Sequence, residues 1–450
     1  KFSPNYYREN VEETIDNPKS NFGVDANLSY KIKRWLPCAD VSFYTKYHYS
    51  YNKDKELITD VPTSTKDLFN SYDRNMNGHL YTAGVQYDYN KRNGGNVLKI
   101  NLNIPFVLNN RNTEYMRYMI DTCLVQTHKF VEPSFSITKE KWPKGAAVNP
   151  KFSIALQSSL KFTAPDAIQL ITLPVTTDRI NVLCGNSNLK PASVWASKLD
   201  CYFATKQNMA YVKQNLTYHM YNNRIVNSYS YDGLSGVYTH TPENINGTWD
   251  ISYHGEGMHF LKIAKHNFTI YWALNANYNE MSNFVADGIS GYTKKINNNE
   301  LYLSLPLKIR THIAKRIMVV LYSNIDWRKP LSDNNYASYS DALSYRVGGG
   351  LGTEIFAKID WESELAFTKR SGYVDNNLNK PMYEWDMSFS RSFLKNKLNL
   401  KLTAVDILHQ YKGIAYMTNE QGIRETHSIS LPGYILFSAS YRFNHNPKKK

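Results

Sequence analysis

The sequence predicts an all-β fold, a transmembrane antiparallel up-and-down β-barrel, with about 17 strands in these 450 residues. Three observations predict it: two-residue alternation of apolar and polar side chains along the chain, no long apolar run, and connections that alternate short and long. The chain is 42% hydrophobic, 20% charged and 14% aromatic, with 35 Tyr against 19 Phe and 8 Trp. Such tyrosine loading suits strands and interfaces. A mean hydropathy of −0.51 and the lack of an 18-residue apolar stretch exclude a helical membrane protein. They leave a barrel open, because barrel strands average out as hydrophilic. Collagen, coiled coil, disulfide scaffold and disordered chain are excluded on composition.

The predicted strands fall near 20–32, 38–51, 79–90, 97–107, 122–137, 151–163, 195–205, 209–225, 248–254, 266–278, 300–310, 317–328, 343–356, 359–370, 381–391, 397–405 and 434–444. Most run longer than globular strands and reach the length that crosses a bilayer when tilted. In the segment from Phe268, one face carries Phe268, Ile270, Trp272 and Leu274, and the other Asn275, Asn277 and Asn279. The segments from Ile359 and Tyr383 set Trp361, Leu365, Trp385 and Phe389 against Asp360, Glu362, Glu364, Glu384 and Asp386. The next sets Leu400 and Leu402 against Lys397 and Lys401.

The expected lipid-facing residues are therefore Phe268, Ile270, Trp272, Leu274, Trp385, Phe389, Leu400 and Leu402. The expected lumen-facing polar residues are Asp360, Glu362, Glu364, Glu384, Asp386, Lys397, Lys401, Asn275 and Asn277. A face this charged is no second dry core. Its acids and lysines are expected to form cross-strand ion pairs in a wet interior. The plain reading is the solvated wall of a wide pore; the functional one is a docking surface for a plug or substrate.

Short connections are expected near 33–37, 91–96, 206–208, 311–316, 357–358 and 392–396, with two longer ones near 138–150 and 255–265. Long ones are expected near 52–78, 108–121, 164–194, 226–247, 279–299, 329–342, 371–380 and 406–433. Outer-membrane barrels sort their turns in this way, a soluble sandwich does not, and no propeller repeat is present. Loops 164–194, 226–247 and 406–433 are the expected outer contact surfaces. The tyrosine runs 44-47-49-51, 81-87-89 and 211-218-221 fit interfacial belts. If the last strand ends in the periplasm, the first begins outside and the count is odd. Bacterial single-chain barrels have even counts, so further strands are expected from upstream or from another chain.

A net charge of +14 is spread along the chain, with one purely basic run at Lys448-Lys449-Lys450. Spread in this way it suits anionic lipid head groups better than nucleic acid. Cys38, Cys123, Cys184 and Cys201 show neither CxxC nor zinc spacing. Cys123 and Cys184 share the outer side, but a free role is expected for each. No HExxH, nucleophile elbow or phosphate loop occurs, so neither an enzyme nor a cofactor or metal site is expected. Gly348-Gly349-Gly350 reads as a strand bend or bulge.

Arg179-Ile-Asn-Val-Leu-Cys-Gly-Asn-Ser-Asn-Leu-Lys-Pro191 resembles the "GNPxLxPE" segment of TonB-dependent receptor barrels, with Ser187 for the usual Pro and Ala192 for the usual acid. The Leu-Lys-Pro form is similar to the Bacteroidota outer membrane protein beta-barrel family and to SusC-like transporters. Ala404-Val-Asp-Ile-Leu-His409 resembles that family's "V-x-D-I/L-F-N", and Tyr434-Ile-Leu-Phe-Ser-Ala-Ser-Tyr-Arg-Phe443 its closing strand. The resemblance covers about residues 150–445. It implies a 22-stranded barrel with an N-terminal plug and a TonB box, neither of which is found in this sequence. Residues 1–450 are thus expected to be the C-terminal barrel portion of a longer protein.

The expected function is nutrient uptake across the outer membrane of a Gram-negative bacterium, with outer-membrane lipid and lipopolysaccharide, the plug, TonB and a SusD-like surface lipoprotein as partners and no nucleic acid. A passive porin or a structural barrel subunit of an envelope complex is the alternative. A soluble secreted glycan-binding β protein is the second.

Overall fold

The computed structural model describes residues 13–16, 19–60, 65–143, 150–176, 180–205, 210–286, 293–314, 317–331, 339–373, 376, 379–410, 414–419, 422–427 and 433–443. Lys448-Lys449-Lys450 and Arg179 lie outside them. The strands in chain order are β1 (Glu13–Asp16), β2 (Lys19–Leu36), β3 (Ala39–Asp60), β4 (Thr65–Lys66), β5 (Tyr72–Asn93), β6 (Asn96–Arg117), β7 (Ile120–Val131), β8 (Ser134–Lys141) and β9 (Phe152–Thr163). A one-turn helix, α1 (Ala167–Leu170), precedes β10 (Asn181–Leu183), β11 (Ala192–Ala204), β12 (Ala210–Asn222), β13 (Arg224–Asp232), β14 (Val237–Ile245), β15 (Thr248–Ile263), β16 (His266–Ala286) and β17 (Thr293–Ala314). There follow β18 (Ile317–Pro330), β19 (Tyr339–Glu354), β20 (Asp360–Tyr373), β21 (Met382–Phe393), β22 (Leu398–Val405), β23 (Ile414–Asn419), β24 (Gly422–His427) and β25 (Tyr434–Tyr441).

One antiparallel meander carries the fold: β2, β3, β5, β6, β7 with β8, β9, β11, β12, β15 to β22 in order, then β25. Both β7 and β8 pair with β6, broken only at Glu132-Pro133, so they act as one strand. Counted that way the meander has the predicted 17 members in the predicted order. Proline at the break removes a ladder donor, and the chain resumes on the same partner.

Register fixes the faces, because a directly opposed pair points one way. A polar row runs Thr269, Arg310, Val320, Gly350, Glu364, Asp386 across six strands. The apolar row beside it runs Ile270, Ile309, Leu321, Gly349, Leu365, Trp385. The apolar face has no second layer over it: Leu321 is 55% exposed, Leu365 53% and Phe437 64%. An apolar surface of that extent is not left to water.

Short connections gather at one end and long ones at the other. The turns after β2, β5, β15 and β21 span only a few residues, with left-handed backbone at Cys38, Gly94, Ala264 and Leu394 to Asn396. Lys397 lies in the last of these, one residue before β22, and not on the strand as the alternation suggests. The expected longer connection at 255–265 is also shorter: β15 runs through Ile263 and turns at Ala264-Lys265. Several long connections are ladders. β6 and β7 pair up to Arg117 and Ile120, and β16 pairs with β17 out to Ala286 and Thr293. Strands continue past the point where sequence alternation fades, because backbone pairing does not need an apolar face.

The glycine run makes no bulge. β19 stays in register with β18 from Ala342 to Thr353 and with β20 from Leu343 to Glu354. Instead Gly348 lets the Tyr322 ring lie across it, where a Cβ would strike the ring. Gly84 accommodates Tyr44 and Gly257 accommodates Trp272 in the same way: a Cβ on either glycine would sit 2.5 Å from the nearest atom of that side chain.

Aromatic rings pack at a tilt on the apolar face toward the long-loop end: Tyr47 with Tyr81 at 4.9 Å, Trp249 with Tyr278 at 5.0 Å, Phe367 with Tyr383 at 5.1 Å. Tyr218 joins Trp249 at 6.0 Å. Such a ring of aromatics is what the headgroup level favours. Tyr44, Tyr211 and Tyr221 do not belong to it. They fall on the polar face, where Tyr44 donates to Asn103 and Tyr221 to Asp250.

Candidate functional site

The polar face and the folded cap at its long-loop end are the two places where polar chemistry is concentrated. On the polar face, charges are mostly matched across strands. Lys31 meets Asp40 at 2.9 Å, Lys213 meets Glu256 at 2.8 Å and Arg346 meets Glu384 at 2.5 Å. His219 and Tyr221 share the Asp250 carboxylate at 2.8 and 2.7 Å. Asn275 bonds His254, and Asn277 opposes Ser252 in the same face.

Asp360, Glu362 and Glu364 lie on β20 and Glu384 and Asp386 on β21, all on that face. Lys401 on β22 opposes Ser390 and reaches Glu362 at 3.9 Å. Lys397 makes no part of this network among the described residues; it is a turn residue whose backbone accepts from Arg442. The eight expected lipid-side residues share the opposite face: Trp272 opposes Leu307, Phe389 opposes Leu402, and Leu400 opposes Ala439. Trp385 and Ile270 sit in the apolar row above, and Phe268 and Leu274 keep their alternation along β16.

The cap is where the molecule has a compact core. Ile58, Thr113, Tyr115 and Arg117 are almost fully buried, and Tyr115 and Arg117 lie against residues 168–175. Arg117 ties the 69–70 and 173–174 segments together: it donates to Phe69 O at 2.7 Å, Leu173 O at 3.3 Å, Pro174 O at 2.5 Å and Asn70 Oδ1 at 3.3 Å. A buried guanidinium is tolerated when its donors are taken up in this way. Arg74 grips Asp54 at 2.6 Å and Asp166 at 3.0 Å. Asp166 also starts α1 through a capping box with Gln169. Partial burial and the carboxylates of Asp54 and Glu56 push the Tyr72 phenol up to about 12.

The segment resembling "GNPxLxPE" locks this strap down. Gly185 N–H bonds Ile171 O at 3.1 Å, so close that any Cβ on Gly185 would collide with that carbonyl. Asn186 donates from its backbone to Gln169 O and from its side chain to Pro242 O. Lys190 and Asn244 exchange bonds at 2.7 and 3.0 Å. β10 pairs with β14 in parallel, tying the strap to a second hairpin. A cavity of about 220 Å³ lies between, lined by Tyr115, Arg117, Ile171, Leu183 and His240. The Ala404–His409 segment closes β22: Asp406 N donates to Asp386 Oδ1, and Gln410 N donates to Asp406 Oδ1.

Sequence reasoning misses Arg117, Tyr115 and Asn70. One usable signal is present, the Asp166-x-x-Gln169 spacing of a helix start. All four cysteines are free; Cys123 donates to Asn112 and Cys184 to Thr172 O. Among the described residues no helix is long and apolar enough to cross a membrane.

Residues 297–441 match the model of the outer membrane protein beta-barrel family. No curated protein matches. Among solved structures, the crystal structure of the beta domain of the Bordetella autotransporter BrkA is similar at 8% identity, covering 78% of this chain and 96% of that one, with a TM-score of 0.18. A likeness that slight supports no functional reading. The class is nonetheless plain: the sheet has the fold of an outer-membrane β-barrel protein, and the chain resides in the bacterial outer membrane. That residence rules against a secreted soluble protein.

Proposed function

We propose that this chain is the wall of a TonB-dependent receptor that takes up a nutrient solute through the outer membrane. One observation carries the reading: a single polar face continues through 17 antiparallel strands while the other face is apolar and uncovered. On this reading Phe268, Ile270, Trp272, Leu274, Trp385, Phe389, Leu400 and Leu402 meet lipid. Asp360, Glu362, Glu364, Glu384, Asp386, Lys401, Asn275 and Asn277 line the water-filled interior, and Lys397 marks its periplasmic rim. The cap faces outward and meets the solute first, with lipopolysaccharide around it. A plug, periplasmic TonB and a surface lipoprotein are the partners this scheme requires. The resemblance of Gly185–Pro191 and Ala404–His409 to TonB-dependent receptor segments supports it.

Strand direction adds a constraint. β2 and β25 each have one wall partner among the described residues, and both run from the long-loop end to the short-turn end. Two edges of the same direction close an antiparallel barrel only through an odd number of further strands. Lipid requires closure, since unpaired backbone groups there cost several kcal/mol each. The deciding experiment compares solute uptake by cells expressing the full-length protein with and without functional TonB. Uptake only with TonB is expected. Equal uptake in both would establish a passive pore instead.

A further inference from the structure

On the polar face, at the short-turn end of β17 to β21, opposite charges stand near each other unmatched among the described residues. On β17, Lys308 and Arg310 project from the polar face, and no carboxylate lies within ion-pair distance of either among the described residues. Three and four strands away, Glu364 and Asp386 stand directly opposite each other. Like charges in that relation repel. Their partners are uncharged: Glu364 accepts from the Tyr322 hydroxyl at 2.6 Å, and Asp386 from the Asp406 backbone.

Between the two charged sides lies a furrow of about 460 Å³. Its floor is Val320 and Gly350, in one register row with Arg310, Glu364 and Asp386. A Cβ on Gly350 would meet nothing closer than 3.4 Å. Packing does not demand glycine there, and its effect is to keep the furrow open.

We propose that this furrow binds a short peptide as its zwitterion, the ammonium on Glu364 and Asp386 and the carboxylate on Lys308 and Arg310. The inference rests on the uptake reading and names its solute class. Three strand spacings separate the two charged sides, roughly 14 Å at about 4.8 Å each. An extended peptide covers that span in about four residues at roughly 3.5 Å per residue. The volume lies in the range of small-ligand sites. Such a ligand relieves both like-charge pairs at once, which a singly charged solute does not. The apolar floor suits small side chains in its middle.

The test is calorimetric titration of the full-length protein in detergent with tetra-alanine, N-acetyl-tetra-alanine and tetra-alanine amide. Tetra-alanine is expected to bind, with each blocked form at least tenfold weaker. Gly350→Leu is expected to abolish binding by filling the furrow. The double exchange Arg310→Glu with Glu364→Arg is expected to restore part of the binding that Arg310→Glu alone removes. Equal affinity for blocked and free peptides, or no binding of tetra-alanine to protein whose strand content is intact by circular dichroism, would overturn the proposal. TonB-dependent uptake of some other solute, alongside either of those results, would sink the peptide site and leave the transport reading standing.

Discussion

The cap and the wall of this molecule are stabilised in opposite ways. The cap buries Ile58, Tyr115 and Arg117 between hairpins and strap, and satisfies polar groups one by one. The wall is one sheet thick; its ladder satisfies the backbone, and its side chains stay accessible on both faces. The cap is thus built like a small soluble domain, sensitive to each buried contact. In the orientation proposed above, the wall should tolerate side-chain change on its polar face and be sensitive to charge on its apolar face.

The largest effect should come from Arg117→Ala, which strands several carbonyls in the cap at about 1–3 kcal/mol apiece. Hydrogen exchange of residues 164–176 should accelerate by orders of magnitude while the wall ladder keeps its protection. Loss of protection in both would erase the distinction between the regions. Leu274→Lys should act on the wall alone, by roughly 2–4 kcal/mol if it lies near the bilayer midplane. Refolding titrations into lipid vesicles measure it, and a shift near zero would place that face in water.

Gly185→Ala should loosen the strap by roughly 1–3 kcal/mol, the usual cost of forcing atoms into occupied space. Protease nicking within 164–191 reports it. The smallest effect is a pH response. Because the Tyr72 phenol is held up at about 12, its contribution to the cap is full below its ordinary value of 10.0 and fades as pH rises through about 12. Exchange of the strap should therefore rise over that window, and Tyr72→Phe should shrink the response, leaving the part due to Tyr115, whose phenol burial also holds up. An unchanged response in the phenylalanine variant would remove Tyr72 from the account.

The wall is legible in the sequence and the cap is not. Alternation at Phe268 to Leu274 or Asp360 to Leu365 is a local signal with a period of two, and register then propagates it from strand to strand. Face assignment fails where a ring is judged by type: Tyr44, Tyr211 and Tyr221 look like belt tyrosines, although their parity places them on the polar face. Lys397 escapes the alternation because a turn of three left-handed residues interrupts it just before. The glycine run suggests a bend when glycine's missing side chain is considered only for its own backbone, whereas here it makes space for Tyr322. Arg117 meets Phe69, Leu173 and Pro174 through contacts dozens of residues apart, and no local pattern announces such a meeting.

Strand length has a consequence for what the cell's surroundings encounter. β5 and β6 have 22 residues each, about 70 Å of ladder at roughly 3.3 Å per residue. Tilted as barrel strands are, they rise about 55 Å, nearly twice the roughly 30 Å of hydrocarbon. In the orientation proposed above, the excess would hoist the strap clear of the lipid on stilts of paired backbone, to the height of the sugar chains that coat the bacterium. Antibodies, phage and solutes approaching from the medium would touch the strap before any part of the bilayer.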